Sequence, residues 1–153
     1  ALVRDSLGDN MNQWNTFING VLSPGHASLT TSPLPTASSF HIAGRSNGGL
    51  SAFHVAASYP QYFRSLTGFP GFLQDANQER VTALAGLCVY MHVGEFDPGW
   101  EGAMRVQAAR LREQGFRVHF EVEAGMAHGL DSLAGKGSKR LFEHFEDSVE
   151  NCQ

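Results

Sequence analysis

From Phe40 onward, short apolar runs alternate with longer stretches whose apolar residues recur near every 3.6 positions, and this alternation restricts the fold more than any other feature. Phe40–Ala43 reads as a short strand. Gly48–Tyr59 reads as a helix with Leu50, Phe53 and Ala57 on one face, stopped by Pro60. Ser65–Phe69 is a second strand, ending at Pro70-Gly71, and Ala76–Leu84 a short helix. Leu87–Val93 is continuously apolar or aromatic apart from His92, the pattern of a strand buried on both faces in a parallel sheet. Gly102–Gln114 carries Met104, Ala108 and Leu111 at helical spacing, with Gly115 at its end. Phe116, Val118, Phe120 and Val122 alternate as in a strand. Lys139–Val149 closes the series as a helix with Leu141, Phe142, Phe145 and Val149 directed inward. This order predicts an α/β fold: a mostly parallel sheet of about four strands with flanking helices, reached by right-handed crossovers.

Upstream the pattern differs. Leu7, Met11, Trp14, Phe17, Ile18 and Val21 predict a helix within 3–22, ending around Gly20. Residues 23–39 hold Pro24, Pro33 and Pro35 among Ser and Thr and predict an exposed loop. The chain therefore divides into an N-terminal part, 1–39, and an α/β part, 40–153. A start at Ala1 implies a processed or cut terminus, and no signal-peptide pattern is present there.

Composition excludes several functions. With 42% apolar and 17% charged residues, the 153-residue chain has the balance of a folded domain rather than a disordered one. Its net charge of −4 leaves no basic excess to neutralise phosphates, so no nucleic-acid partner is expected. No apolar run approaches the roughly 18–20 residues of a membrane span, so no membrane partner is expected; the reading leans towards a soluble, cytoplasmic protein. Cys88 and Cys152 form no CxxC pair, and Cys88 is expected to be an inert, buried strand thiol. No histidines stand at a helical ligand spacing, so neither a metal nor a cofactor is expected.

The chemistry is concentrated in three loops. Gly44-Arg45-Ser46-Asn47-Gly48 matches G-x-S-x-G, a pattern that arises by chance in roughly one of seven chains of this composition. Its place between a predicted strand and a predicted helix makes it specific. A sharp strand-to-helix turn projects the serine hydroxyl, and the helix N-terminus offers backbone N–H groups to a developing oxyanion. Serine is a weak nucleophile without a base, and the base needs an acid to orient it. Asp97 follows the buried strand and His128 follows the alternating one, both where open α/β sheets place their sites. Glu95 is a rival acid, set aside because the turn before Pro98-Gly99 lies beyond the strand; Asp131 follows His128 too closely to reach its ring.

Residues 40–149, about two-thirds of the chain, resemble the C-terminal half of an α/β-hydrolase of the esterase, depolymerase and feruloyl-esterase-like group. The resemblance rests on the Ser46-Asn47-Gly48-Gly49 elbow and on the Ser, Asp, His order. It implies Ser46 as nucleophile, His128 as general base, Asp97 as the orienting acid and the Asn47 N–H as one oxyanion donor. The implied activity is hydrolysis of small carboxylic esters through an acyl-enzyme, without a cofactor. A peptidase or amidase on the same triad, or a non-catalytic half-domain used for assembly or binding, are the alternatives. The departure is the upstream region: 43 residues precede Gly44, with no HGGG-type motif to supply a second oxyanion donor. A fragment, half of a two-chain enzyme or a shortened hydrolase would each fit. The unpaired strand edge then predicts a homodimer or pairing with a second chain.

Other residues have two readings. Phe69, Phe72, Trp100 and Met126 either line an apolar pocket or pack ordinarily, and Arg45 either meets an anionic group or packs beneath the turn. His92 reads as a hydrogen-bonded core histidine, His41 and His119 as strand-face residues and His54 as packed, with His26 in the loop.

Overall fold

A computed structural model describes residues 12, 13, 16, 40–130, 133 and 138–152. By its contacts the chain divides into Ala1–Thr36 and Ala37–Gln153. In the first unit Asn12, Gln13 and Thr16 are helical, and the Thr16 hydroxyl donates to the Asn12 carbonyl at 2.9 Å. The remainder of the expected 3–22 helix and the 23–39 loop lie outside the described residues.

The second unit runs β1 (Phe40–Gly44), α1 (Asn47–Ser58), a 3₁₀ turn (Pro60–Tyr62), β2 (Phe63–Gly68), α2 (Gln78–Ala83), β3 (Cys88–Gly94), α3 (Pro98–Glu113), β4 (Val118–Glu123) and α4 (Ser138–Asn151). The four strands are parallel and lie in the order β1-β2-β3-β4, so the α/β reading holds. Stepping one way through right-handed crossovers places the connecting helices on a common face. α4 returns to the other face, where it meets Cys88, Tyr90 and His92 of β3.

All seven residues of β3 are buried, which is why its sequence shows no alternation. Phe53 and Val55 of α1, Leu66 of β2, Met91 of β3, and Met104 and Leu111 of α3 are almost wholly enclosed. Burying a side chain of this size contributes about 1.5–3 kcal/mol. α3 starts at Pro98, four residues before the expected start at Gly102 and six before Met104, the first apolar position that periodicity detects. Proline suits that place because its φ is preset and its missing N–H would have no helical partner. Gly115 ends the helix at φ 83°, a left-handed conformation that glycine adopts without strain.

α4 departs from expectation. Phe142 and Val149, expected inward, are 59% and 55% exposed. The helix is instead anchored to the sheet by polar groups and its C-terminal end. Tyr90 donates its hydroxyl to Asp147, Ser148 lies 3.2 Å from His41 Nδ1, and Arg64 donates to the Cys152 carbonyl at 2.9 Å. Those anchors turn Leu141, His144 and Ser148 towards β1–β3 and leave Phe142 and Val149 outside.

The second correction concerns the cysteines. Cys88 is not a free thiol: it forms a disulfide with Cys152, across a Cα–Cα distance of 5.8 Å and 64 positions of sequence. Nothing local announces such a pair, because the fold alone brings the start of β3 beside the end of α4. A cross-link over this span restricts the unfolded chain by about 4 kcal/mol in the loop-entropy account. Urea unfolding with and without reductant is expected to show a clearly lower midpoint for the reduced protein, and for the Cys88→Ser, Cys152→Ser double variant. Equal midpoints would mean that the cross-link does not restrict the unfolded chain.

Candidate active site

β1 passes into α1 through one sharp turn, and Ser46 occupies it at φ 56°, ψ −123°. A non-glycine residue held there stores on the order of 1–3 kcal/mol of backbone strain. The turn persists because its surroundings determine it. Ser46 N–H donates to the Pro70 carbonyl at 3.0 Å, Gly48 N–H to Arg45 at 2.8 Å, and Leu50 N–H to Ser46 at 3.0 Å. Packing is close enough to require glycine: a Cβ on Gly44 would stand 2.0 Å from the Gly48 carbonyl oxygen, and one on Gly49 2.1 Å from that of Pro70. The Asn47 N–H opens α1, where the helix supplies it no acceptor and the dipole is positive.

Two more strand ends deliver the partners. Asp97 caps α3, its N–H on the Gly94 carbonyl at 3.1 Å. The loop after β4 folds over the end of β3, with Phe96 N–H donating to Met126 at 2.8 Å. This brings His128 between the other two: its Nε2 is 2.8 Å from Ser46 Oγ and its Nδ1 2.6 Å from Asp97 Oδ2. An ionised carboxylate can only accept, so Nδ1 carries the proton and the neutral ring leaves Nε2 to accept from the Ser46 hydroxyl. Asp97 is 12% exposed and His128 42% exposed, so the imidazole is open to solvent while the carboxylate is largely covered.

Glu95 is engaged elsewhere. Its carboxylate accepts the Gly125 N–H at 2.8 Å and so ties the β3 loop to the β4 loop. Asp131 and His26 lie outside the described residues. Arg45 is exposed and extends its guanidinium over Gly129, beside His128. The aromatic residues divide: Phe69 is buried with Leu130 and Leu133, and Met126 packs against that cluster. Trp100 instead sits 5.1 Å from the His128 ring, with Phe72 edge-on at 5.6 Å, both half-buried. Phe96, which sequence reasoning passed over, is 66% exposed beside Asp97.

The other described histidines make their contacts away from His128. His92 is fully buried and bonds Glu123 at 2.8 Å through Nδ1; burial holds it below the ordinary imidazole value despite the pull of Glu123. His41 contacts Ser65 Oγ at 2.7 Å, and His54 contacts Arg80 at 2.5 Å. Burial lowers both, helped by Arg64 and Arg80 respectively. His119 is exposed, and His144 is pushed down to about 4 by burial and then by its histidine neighbours.

No protein-family model and no curated protein matches the chain. Solved structures do. A thermostable esterase aligns over 95% of this chain and 37% of its own, with a TM-score of 0.63 at 18% identity. The enterobactin esterase of Shigella flexneri aligns over 90% of this chain and 37% of its own, with a TM-score of 0.63 at 20% identity. An acyl-protein thioesterase 2 of Zea mays aligns over 80% and 60%, with a TM-score of 0.57 at 16% identity. The fold is that of the α/β-hydrolases. The chain spans less than two-thirds of each of these three, and the partial coverage fits a C-terminal half of the α/β-hydrolase fold.

Proposed function

We propose that the chain is a serine hydrolase that cleaves carboxylic esters through an acyl-enzyme. The observation that carries the reading is the continuous hydrogen-bond series Ser46–His128–Asp97 at a strained elbow. Ser46 Oγ attacks the ester carbonyl as His128 Nε2 takes its proton. Asp97 holds the imidazole tautomer and stabilises the imidazolium. The Asn47 N–H faces the developing oxyanion. As the tetrahedral intermediate collapses, the carbon–oxygen bond breaks and His128 returns the proton to the leaving alcohol. Water repeats the sequence on the acyl-enzyme and frees the acid and Ser46. Every proton moves between side chains of this chain, the substrate and water.

Trp100 and Phe72 form the wall nearest His128 and suit an apolar group of a small-molecule ester. Incubation with short-chain p-nitrophenyl esters and with a fluorophosphonate tests the reading: turnover and labelling at Ser46 are expected. Labelling with amide turnover but no ester turnover would favour a peptidase. A folded protein with neither would favour the non-catalytic alternative.

Association with a second chain, either a further copy or one bearing additional strands, belongs to the same proposal. Among the described residues β1 is paired on one side, by β2, and an unpaired apolar edge invites pairing. A partner strand would also offer a place for a second oxyanion donor. Sedimentation equilibrium at micromolar concentration is expected to give a mass above 16.6 kDa. A fully active monomer would exclude the association. Among the described residues no helix is long and apolar enough to cross a membrane. The Cys88–Cys152 bond favours an oxidising compartment over the cytoplasm.

A further inference from the structure

We propose that the chain carries a divalent transition-metal site on the sheet face beneath α4, built from His92, His119 and Glu121. Helical spacing could not reveal it, because a sheet assembles it. In the parallel register His92 of β3 stands opposite Glu121 of β4, and Tyr90 opposite His119. Residues two apart on a strand share a face, so His119 and Glu121 both lie on the side of His92. One ligand atom from each of the three falls within 4.8 Å of the other two. His119 Nε2 is 3.2 Å, and His92 Nδ1 3.8 Å, from Glu121 Oε2.

The donor set is two imidazoles and a carboxylate, which suits Zn²⁺ and its first-row neighbours rather than Ca²⁺ or Mg²⁺. His92 is 0% exposed, and its Nδ1 faces the cluster, 3.8 Å from Glu121 Oε2 and 2.8 Å from Glu123 Oε1, so a metal bound there takes this nitrogen in exchange for Glu123. His144 stacks on this ring at 4.8 Å between centroids. Access comes from the outer side, where His119 and Glu121 are 52% and 41% exposed.

Arg140 is the internal competitor. Its guanidinium donates to Glu121 at 2.7 Å and to Glu123 at 2.9 Å, and so supplies the positive charge that a metal would supply. Metal entry requires it to release Glu121, and it can keep Glu123 while doing so. The site is thus one in which an arginine and a metal ion exchange on the same carboxylate.

Titration calorimetry of Zn²⁺ into the tag-free, oxidised full chain tests this, with Co²⁺ absorption reporting the ligand field. One equivalent is expected to bind. His119→Ala and Glu121→Ala, both at exposed positions that leave the core intact, are each expected to weaken binding at least about tenfold. Arg140→Gln is expected to tighten it, because the competitor is removed. Ser46→Ala is expected to leave it unchanged, which separates the site from His128 and Asp97. Absence of stoichiometric binding would overturn the proposal. So would binding that His119→Ala and Glu121→Ala leave untouched.

Discussion

Ser46→Ala is expected to reduce ester turnover to background, a loss of at least about 10³-fold, and to abolish fluorophosphonate labelling. No other hydroxyl in the described contacts meets His128, so nothing can replace the missing Oγ. His128→Ala should do the same, because Oγ then keeps its proton. The double variant should be hardly worse than either single one, since the two groups act in one step and removing either ends it. Circular dichroism and the unfolding midpoint should be nearly unchanged for Ser46→Ala. Its side chain is small and partly exposed, and the Ser46–Pro70 and Leu50–Ser46 bonds use backbone atoms that alanine keeps. Measured rates on p-nitrophenyl acetate decide the matter: a Ser46→Ala protein that retains a tenth of the activity would remove serine from the mechanism.

Asp97→Asn against Glu95→Gln is the second comparison with a large expected difference. Losing the acid in a Ser-His-Asp arrangement costs about 10⁴-fold in turnover, because an amide can hold His128 in the wrong tautomer. Asp97 is the carboxylate 2.6 Å from His128 Nδ1, and it is largely covered. Glu95 accepts a backbone N–H from Gly125 instead, and glutamine retains an oxygen that can do so. Glu95→Gln should therefore change turnover little. Equal losses from the two substitutions would leave the acid unassigned, and a loss confined to Glu95 would transfer the role to it.

The strand-to-helix turn at Ser46 was legible because its requirements are local. Gly44 and Gly48-Gly49 flank Ser46 in the sequence, and the same glycines allow the backbone to close in the structure. The strand-ending positions of Asp97 and His128 were legible for a related reason. Apolar runs mark where strands stop, and a parallel sheet gathers the residues that follow them at one end. What periodicity could not register was orientation around a helix. Phe142 and Val149 share the amphipathic pattern of buried residues, yet α4 is set by bonds to His41, Arg64 and Tyr90, none of them near it in sequence.

The sequence by itself therefore determined the order of strands and helices, the parallel α/β class and the turn that presents Ser46. Each depends on side-chain volume and backbone freedom over a few adjacent residues. Only the tertiary structure decided that Cys88 pairs with Cys152, that Phe142 and Val149 face outward, and that His92, His119 and Glu121 converge. Those outcomes depend on distances between groups tens of residues apart. Such distances come into being only when strand register and helix rotation are set by the packed core.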